Sequence, residues 1–100
     1  MKPVTDVSVR QINADTHITD FSAEYSKEVK EKILEYMKKQ DVFSYTTAPV
    51  FDVYTREKTG EYDNGRSDEV FYWHESTIYY FEKYNLKLNK EFIDHIMKAS

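Results

Sequence analysis

The chain has 100 residues, 14 Lys and Arg against 18 Asp and Glu, a net charge of −4 and no cysteine. That length makes one domain, residues 1–100, with a single core, and the missing cysteines exclude disulfides, thiolate nucleophiles and cysteine-bound zinc. The mixed, mildly acidic charge argues against a nucleic-acid partner, and no run approaches the roughly 20 apolar residues of a membrane span.

Residues 1–19 are polar, with a weak alternation at Val7 and Val9. They read as an edge strand or as a loosely held arm. Residues 22–40 have apolar positions at helical spacing, Tyr25, Val29, Ile33, Tyr36 and Met37, with Asp20 or Ser22 as the cap and a solvated charged face. From Val42 to Thr55 the β-branched and aromatic residues are those of strands. Pro49 offers no ladder donor, so two short strands or a bulged edge strand are expected rather than one long one. Lys58-Thr59-Gly60 and Asp63-Asn64-Gly65 are turn signals, and Glu61 and Tyr62 between them are a short return strand forming a hairpin with 50–55.

Ser67, followed by Asp68 and Glu69, reads as the cap of a helix running to Tyr84, with Asn85 as a left-handed C-cap. Leu86-Lys87-Leu88 is then a link whose leucines plug the junction to a last helix. That helix is capped by Asn89 and has Phe92, Ile93, Ile96 and Met97 on one side. The fold expected is α+β: three helices with a small antiparallel sheet or hairpin, and a two-helix corner at the C-terminus.

Half of the residues from Phe71 to Tyr84 are aromatic. Read as one helix turning about 100° per residue, the segment gathers Val70, His74, Thr77, Ile78, Phe81 and Asn85 on a core face, flanked by Phe71, Trp73 and Tyr84. Tyr72, Ser76, Tyr79 and Lys83 point the other way, with Tyr80 at their edge. These five form the candidate partner-binding surface, because tyrosine supplies large contact area with a polar tip. A second layer of the same chain is the competing explanation for Tyr72 and Tyr79.

No residue set rises to a catalytic, cofactor or metal site. His74-Glu75-Ser76-Thr77-Ile78 begins like the zinc-protease helix, but Ile78 stands where the second histidine is required. His74 reads as a core residue and His95 as a surface residue of the last helix. The acidic residues Glu57, Glu61, Asp63, Asp68 and Glu69 lack the ligand spacing of a calcium loop.

Trp73, Tyr79-Tyr80, Lys83-Tyr84, Leu86, Leu88, Glu91-Phe92 and His95-Ile96 resemble the tail of small bacterial proteins of unassigned function. Some of those are accessory or immunity-type proteins encoded near toxins. In that group a proline tends to stand where Asn89 stands here, and both residues suit a helix start. The resemblance covers about a quarter of the chain and implies architecture for the two-helix corner, with no active site. The function expected is a non-catalytic, cytoplasmic protein-binding module, an immunity or regulatory factor, whose partner is another protein or a second copy. The alternatives are a small-ligand binder or enzyme with an aromatic-lined pocket that includes Trp73 or Tyr84, and a structural homodimer subunit.

Overall fold

The computed structural model describes residues 1–7, 12, 13, 15 and 17–99. Strand β1 (Lys2–Pro3) and a 3-10 turn (Ile18–Phe21) lead to helix α1 (Lys27–Lys39). Five strands follow: β2 (Val42–Ser44), β3 (Pro49–Phe51), β4 (Lys58–Tyr62), β5 (Gly65–Ser67) and β6 (Phe71–His74). Helices α2 (Glu75–Tyr84) and α3 (Lys90–Ala99) close the chain. The class is α+β, with the two-helix corner in place. Among the described residues no helix is long and apolar enough to cross a membrane.

The strands form two sheets. One has the order β1-β6-β5-β2 and the other is the hairpin β3-β4. The first sheet is mixed rather than antiparallel, because β1 runs parallel to β6, with Lys2 opposite Phe71 and Pro3 opposite Tyr72. The amino-terminal segment thus supplies an edge strand; Val9 lies outside the described residues. Pro49 opens β3, as its missing donor requires. Lys58-Thr59-Gly60 is strand rather than turn. Its register against β3 is irregular, and Gly60 accommodates this with a φ of 88°.

The largest departure from expectation is residues 67–74. Phe71-Tyr72-Trp73-His74 is a strand, which suits its aromatic composition. It buries Phe71 and Trp73 on one face and half-buries Tyr72 and His74 on the other. Ser67 ends β5 and caps no helix. Asp68 does bind free amides as a cap would: its Oδ1 accepts from Val70 N and Phe71 N at 2.9 and 2.7 Å, but in a turn between strands. His74 contributes no capping bond to α2. The free amides of the first turn are instead satisfied from a distance, with Glu75 N donating to Asn64 O and Ser76 N to Asp63 Oδ1.

Helix α1 also starts later than its apolar spacing implies. Ser26, not Asp20 or Ser22, is its cap, and Ser26 Oγ accepts from Val29 N at 3.3 Å. The residues before it are extended along the α2–α3 link. Ala23 N donates to Asn85 O, and the Tyr25 hydroxyl donates to Leu86 O at 3.1 Å and accepts from Leu88 N at 3.0 Å. At the other end of α1, Arg66 donates from Nη1 to the carbonyls of Lys38 and Gln40 at 3.1 and 2.6 Å, and from Nε to Glu75. An arginine from β5 thereby satisfies the orphan acceptors of a helix end. Asn85 is left-handed (φ 57°, ψ 43°), as the sequence implied. The core lies between the Phe71/Trp73 face of the sheet and the helices. It contains Ile33 and Met37 of α1, Phe81 of α2, Phe92 and Ile96 of α3, and the link residues Leu86 and Leu88. Trp73 donates from its indole nitrogen to Met37 O at 3.3 Å and lies 5.4 Å from the Phe92 ring.

Candidate functional site

Two polar clusters and one open surface hold the chemistry of the molecule. The first cluster is centred on Asp52, only 1% exposed, at the end of β3. Its backbone closes the β3–β4 loop, with Asp52 N donating to Glu57 O and Asp52 O accepting from Arg56 N. Its Oδ1 accepts from Tyr54 N and Thr55 N at 2.8 and 3.0 Å. Its Oδ2 accepts from three side chains of α2: Tyr79 at 2.5 Å, Tyr84 at 2.9 Å and Lys83 at 3.2 Å. Burial acts to raise the Asp52 pKa, but hydrogen bonds from Tyr79, Thr55 N, Tyr84 and Tyr54 N outweigh it and hold the carboxyl well below the usual range. Burial and the adjacent carboxylate push the Tyr84 phenol up to about 12. The Lys83 ammonium is raised by its bonds to Tyr79 and Asp52, and lies 5.7 Å from the centres of the Tyr79 and Tyr84 rings. Five donors converge on the two oxygens of Asp52, so the cluster latches the hairpin to the helix.

The second cluster joins three elements. Asp68 Oδ2 accepts from the Tyr36 hydroxyl of α1 and lies 2.9 Å from Nε2 of His95 in α3. Burial again opposes ionisation of Asp68, and bonds from Tyr36, the Phe71 and Val70 amides and His95 overcome it and lower its pKa. Burial and Asp68 together raise the Tyr36 phenol. His95 is therefore half-buried and bonded rather than simply on the surface. It borders a shallow cleft of about 300 Å³ with Glu91, Asp94 and Lys98.

The five residues expected on one helix face do not share one. Because 71–74 is strand, Tyr72 is displaced to the sheet. Tyr79 and Lys83 are held by Asp52, so a second layer of the chain covers Tyr79. Tyr80 is only 2% exposed; its hydroxyl donates to Phe51 O at 3.0 Å and accepts from Val53 N at 3.2 Å. Ser76 is buried at the hairpin side of α2, and its Oγ has no partner among the described residues. Val70 is exposed rather than core, and His74 sits beside Tyr72 with ring centres 6.4 Å apart. Trp73 is only 1% exposed and packs against Tyr36 and Phe92. Among the described residues no group of three or more acidic or histidine side chains is arranged to hold a metal ion.

The open surface is the other face of the four-stranded sheet. Register places Tyr72 opposite Ser67 and His74 opposite Gly65, so these four share a face that points away from Phe71 and Trp73. Phe43 of β2 lies across Gly65: a Cβ on Gly65 would stand 3.1 Å from Phe43 Cε1 and 3.2 Å from Ser44 Cβ. The glycine is what lets the ring lie flat. Phe43 is nonetheless 50% exposed, and Met1 and, just past β2, Tyr45 are more so. Neither Phe43 nor Tyr72 belongs to the core or to the apolar residues packed on it. In the sequence Phe43 is an ordinary strand residue, and no local pattern in Val42-Phe43-Ser44 marks it as exposed. No family model, no curated protein and no solved structure matches the chain.

Proposed function

We propose that the protein is a non-catalytic, cytoplasmic protein-binding module that docks its partner on the Phe43–Tyr72 face of the sheet. The observation that carries the reading is Phe43, half exposed yet seated on a glycine that leaves room for its ring. A rigid aromatic already in place loses little entropy on binding, which is why such residues dominate interface energetics. Tyr72 adds a second ring to the face, and Met1 adds an exposed apolar side chain beside Phe43. The convergence of five donors on Asp52 and the absence of a reactive constellation in the sequence favour binding over catalysis. The resemblance of the C-terminal quarter to accessory and immunity-type bacterial proteins agrees with a role as an immunity or regulatory factor.

Photo-cross-linking tests this. A benzophenone amino acid at position 43 should capture a defined partner polypeptide, while the same group at exposed Tyr62 of the hairpin should not. With that partner purified, Phe43→Ser should weaken binding by at least about tenfold, the effect of a typical interface anchor. Capture at position 62 alone, or unchanged affinity of Phe43→Ser, refutes the assignment.

A further inference from the structure

We infer that two copies of this chain pair through the open edge of β2, antiparallel and with Phe43 opposite Phe43, and so join their sheets. Among the described residues β2 ends the four-stranded sheet and is bonded on one side only, to β5. A strand edge of this kind presents unpaired amides and carbonyls to an extended chain. Within the ladder to β5, Phe43 has no residue opposite it: Val42 faces Arg66, Ser44 faces Gly65, and the register shifts between them. The Phe43 side chain is half exposed, and every residue from Phe43 to Pro49 is exposed.

The other strand edges carry features that block such pairing. β1 has two residues, one of them Pro3, and its Lys2 is paired with Glu91. β3 begins with Pro49, and β4 carries Lys58, Gly60 and Glu61 along an irregular ladder. β2 is Val42-Phe43-Ser44, without proline, glycine or charge. Self-pairing also fixes the register. A two-fold axis perpendicular to an antiparallel pair sets one residue opposite its own copy, and centring it on Phe43 overlaps all three residues of β2. Val42 then faces Ser44 and Asp41 faces Tyr45, so no like charges meet, and the two Phe43 rings form a cross-strand pair. The contact is short and β2 is irregular, so the dimer is weak, with a Kd on the order of 100 μM. Two sheets of four strands become one continuous sheet, with both Phe43–Tyr72 faces on the same side. The pairing uses the edge of β2 and leaves its face to the partner. It is therefore independent of the docking assignment, and it adds a second Phe43 to that surface.

Sedimentation equilibrium of the purified chain alone reads the pairing, at about 0.15 M salt, where charges more than about 8 Å apart are screened. The protein should pass from monomer to dimer as its concentration rises. Phe43→Lys sets two ammonium groups against each other on the axis and should leave a monomer throughout. Tyr45→Asp sets a carboxylate against Asp41 of the other copy, twice per dimer, and should weaken the dimer by about two- to thirtyfold; adding Asp41→Lys should restore it. Positions 41, 43 and 45 are exposed, and the backbone bond from Ser67 N to Asp41 O is kept, so the variants fold, which unchanged amide resonances away from β2 verify. A wild-type monomer at millimolar concentration overturns the inference. So does a dimer that survives Phe43→Lys, because it forms elsewhere. A dimer indifferent to the charge at position 45 also overturns it, because the Phe43 faces then stack and the edges do not pair. A partner cross-linked at position 43 of a chain that stays monomeric keeps the docking surface and refutes the pairing.

Discussion

Asp52 shows how one side chain fixes a local structure and its attachment. An aspartate is almost never fully buried unless paired, and here two amides, two phenols and an ammonium converge on it. Asp52→Ala strands those amides and leaves two phenols without their acceptor, so stability measured by urea unfolding should fall by about 2–4 kcal/mol. Asp52→Asn recovers only part of this, because an amide nitrogen facing the Lys83 ammonium cannot accept its proton. The carboxyl has a native pKa below its unfolded value of about 3.9. Its stabilisation is therefore complete above pH ~4 and is lost as pH falls toward the native value; the acid limb of the stability curve should be shallower in Asp52→Asn. Tyr84 gives the opposite sign. Raised to about 12, it stabilises fully below the ordinary phenol value of about 10 and loses that contribution as pH rises from there to 12. A phenolate absorbance titration should find this component in the native protein and see it move down in Asp52→Asn by the part the carboxylate contributes, the part due to burial remaining. The sequence did carry a trace of this site, an acid inside the apolar run Val50-Phe51-Asp52-Val53-Tyr54. Its partners lie about thirty positions away on α2, and no local pattern connects them.

At the scale of elements, what was legible was what local chemistry decides. Asn85 ends α2 in the left-handed conformation, the two leucines fill the link, Pro49 divides the strands, and Phe92 and Ile96 face the core. The start of α2 was not legible, because its cap comes from Asp63 and Asn64 across the fold, while Ser67-Asp68-Glu69 offers a convincing cap that is used by a turn. That cap placed Tyr72 on a helix wheel it does not belong to, while Ser76, Tyr79, Tyr80 and Lys83 do lie on α2. Two substitutions test the elements as found. Asn85→Ala places a Cβ-bearing residue without a compensating amide at φ 57° and removes the acceptor for Lys30 Nζ, so it should destabilise by about 1–2 kcal/mol; Asn85→Gly should cost less. Gly65→Ala drives a methyl into the Phe43 ring and Ser44. About 1–3 kcal/mol of destabilisation is expected, with the Phe43 ring resonances displaced. A Gly65→Ala variant of unchanged stability and spectrum would show that the ring is not seated there.

In the whole molecule the hairpin is a body of its own. It shares no strand ladder with the four-stranded sheet, and a two-stranded hairpin is marginal by itself. It is held by its own buried Val50, by Val53 and Tyr54 packed on the core, by the Asp52 latch, by the Tyr80 hydroxyl between Phe51 O and Val53 N, and by the Asp63 bond to Ser76. The large core, by contrast, ties the four-stranded sheet to α1 and α3 through Phe71, Trp73, Met37 and Phe92. Fewer apolar contacts and more polar ones mean a lower free energy of opening, so the hairpin should detach as a unit before the core unfolds. Tyr79→Phe with Tyr84→Phe removes two of the three side-chain donors to Asp52 and keeps the rings in place. A hydrogen bond to a charged group contributes about 1.5–3 kcal/mol, so amide exchange in Lys58–Tyr62 should quicken by at least about tenfold. Exchange at Trp73 and in α3 should stay unchanged. Uniform acceleration throughout would mean that hairpin and core open together, and that the latch belongs to the global fold. Local acceleration alone makes the hairpin a layer that can lift from α2, freeing the Asp52 carboxylate from its α2 donors in that open state.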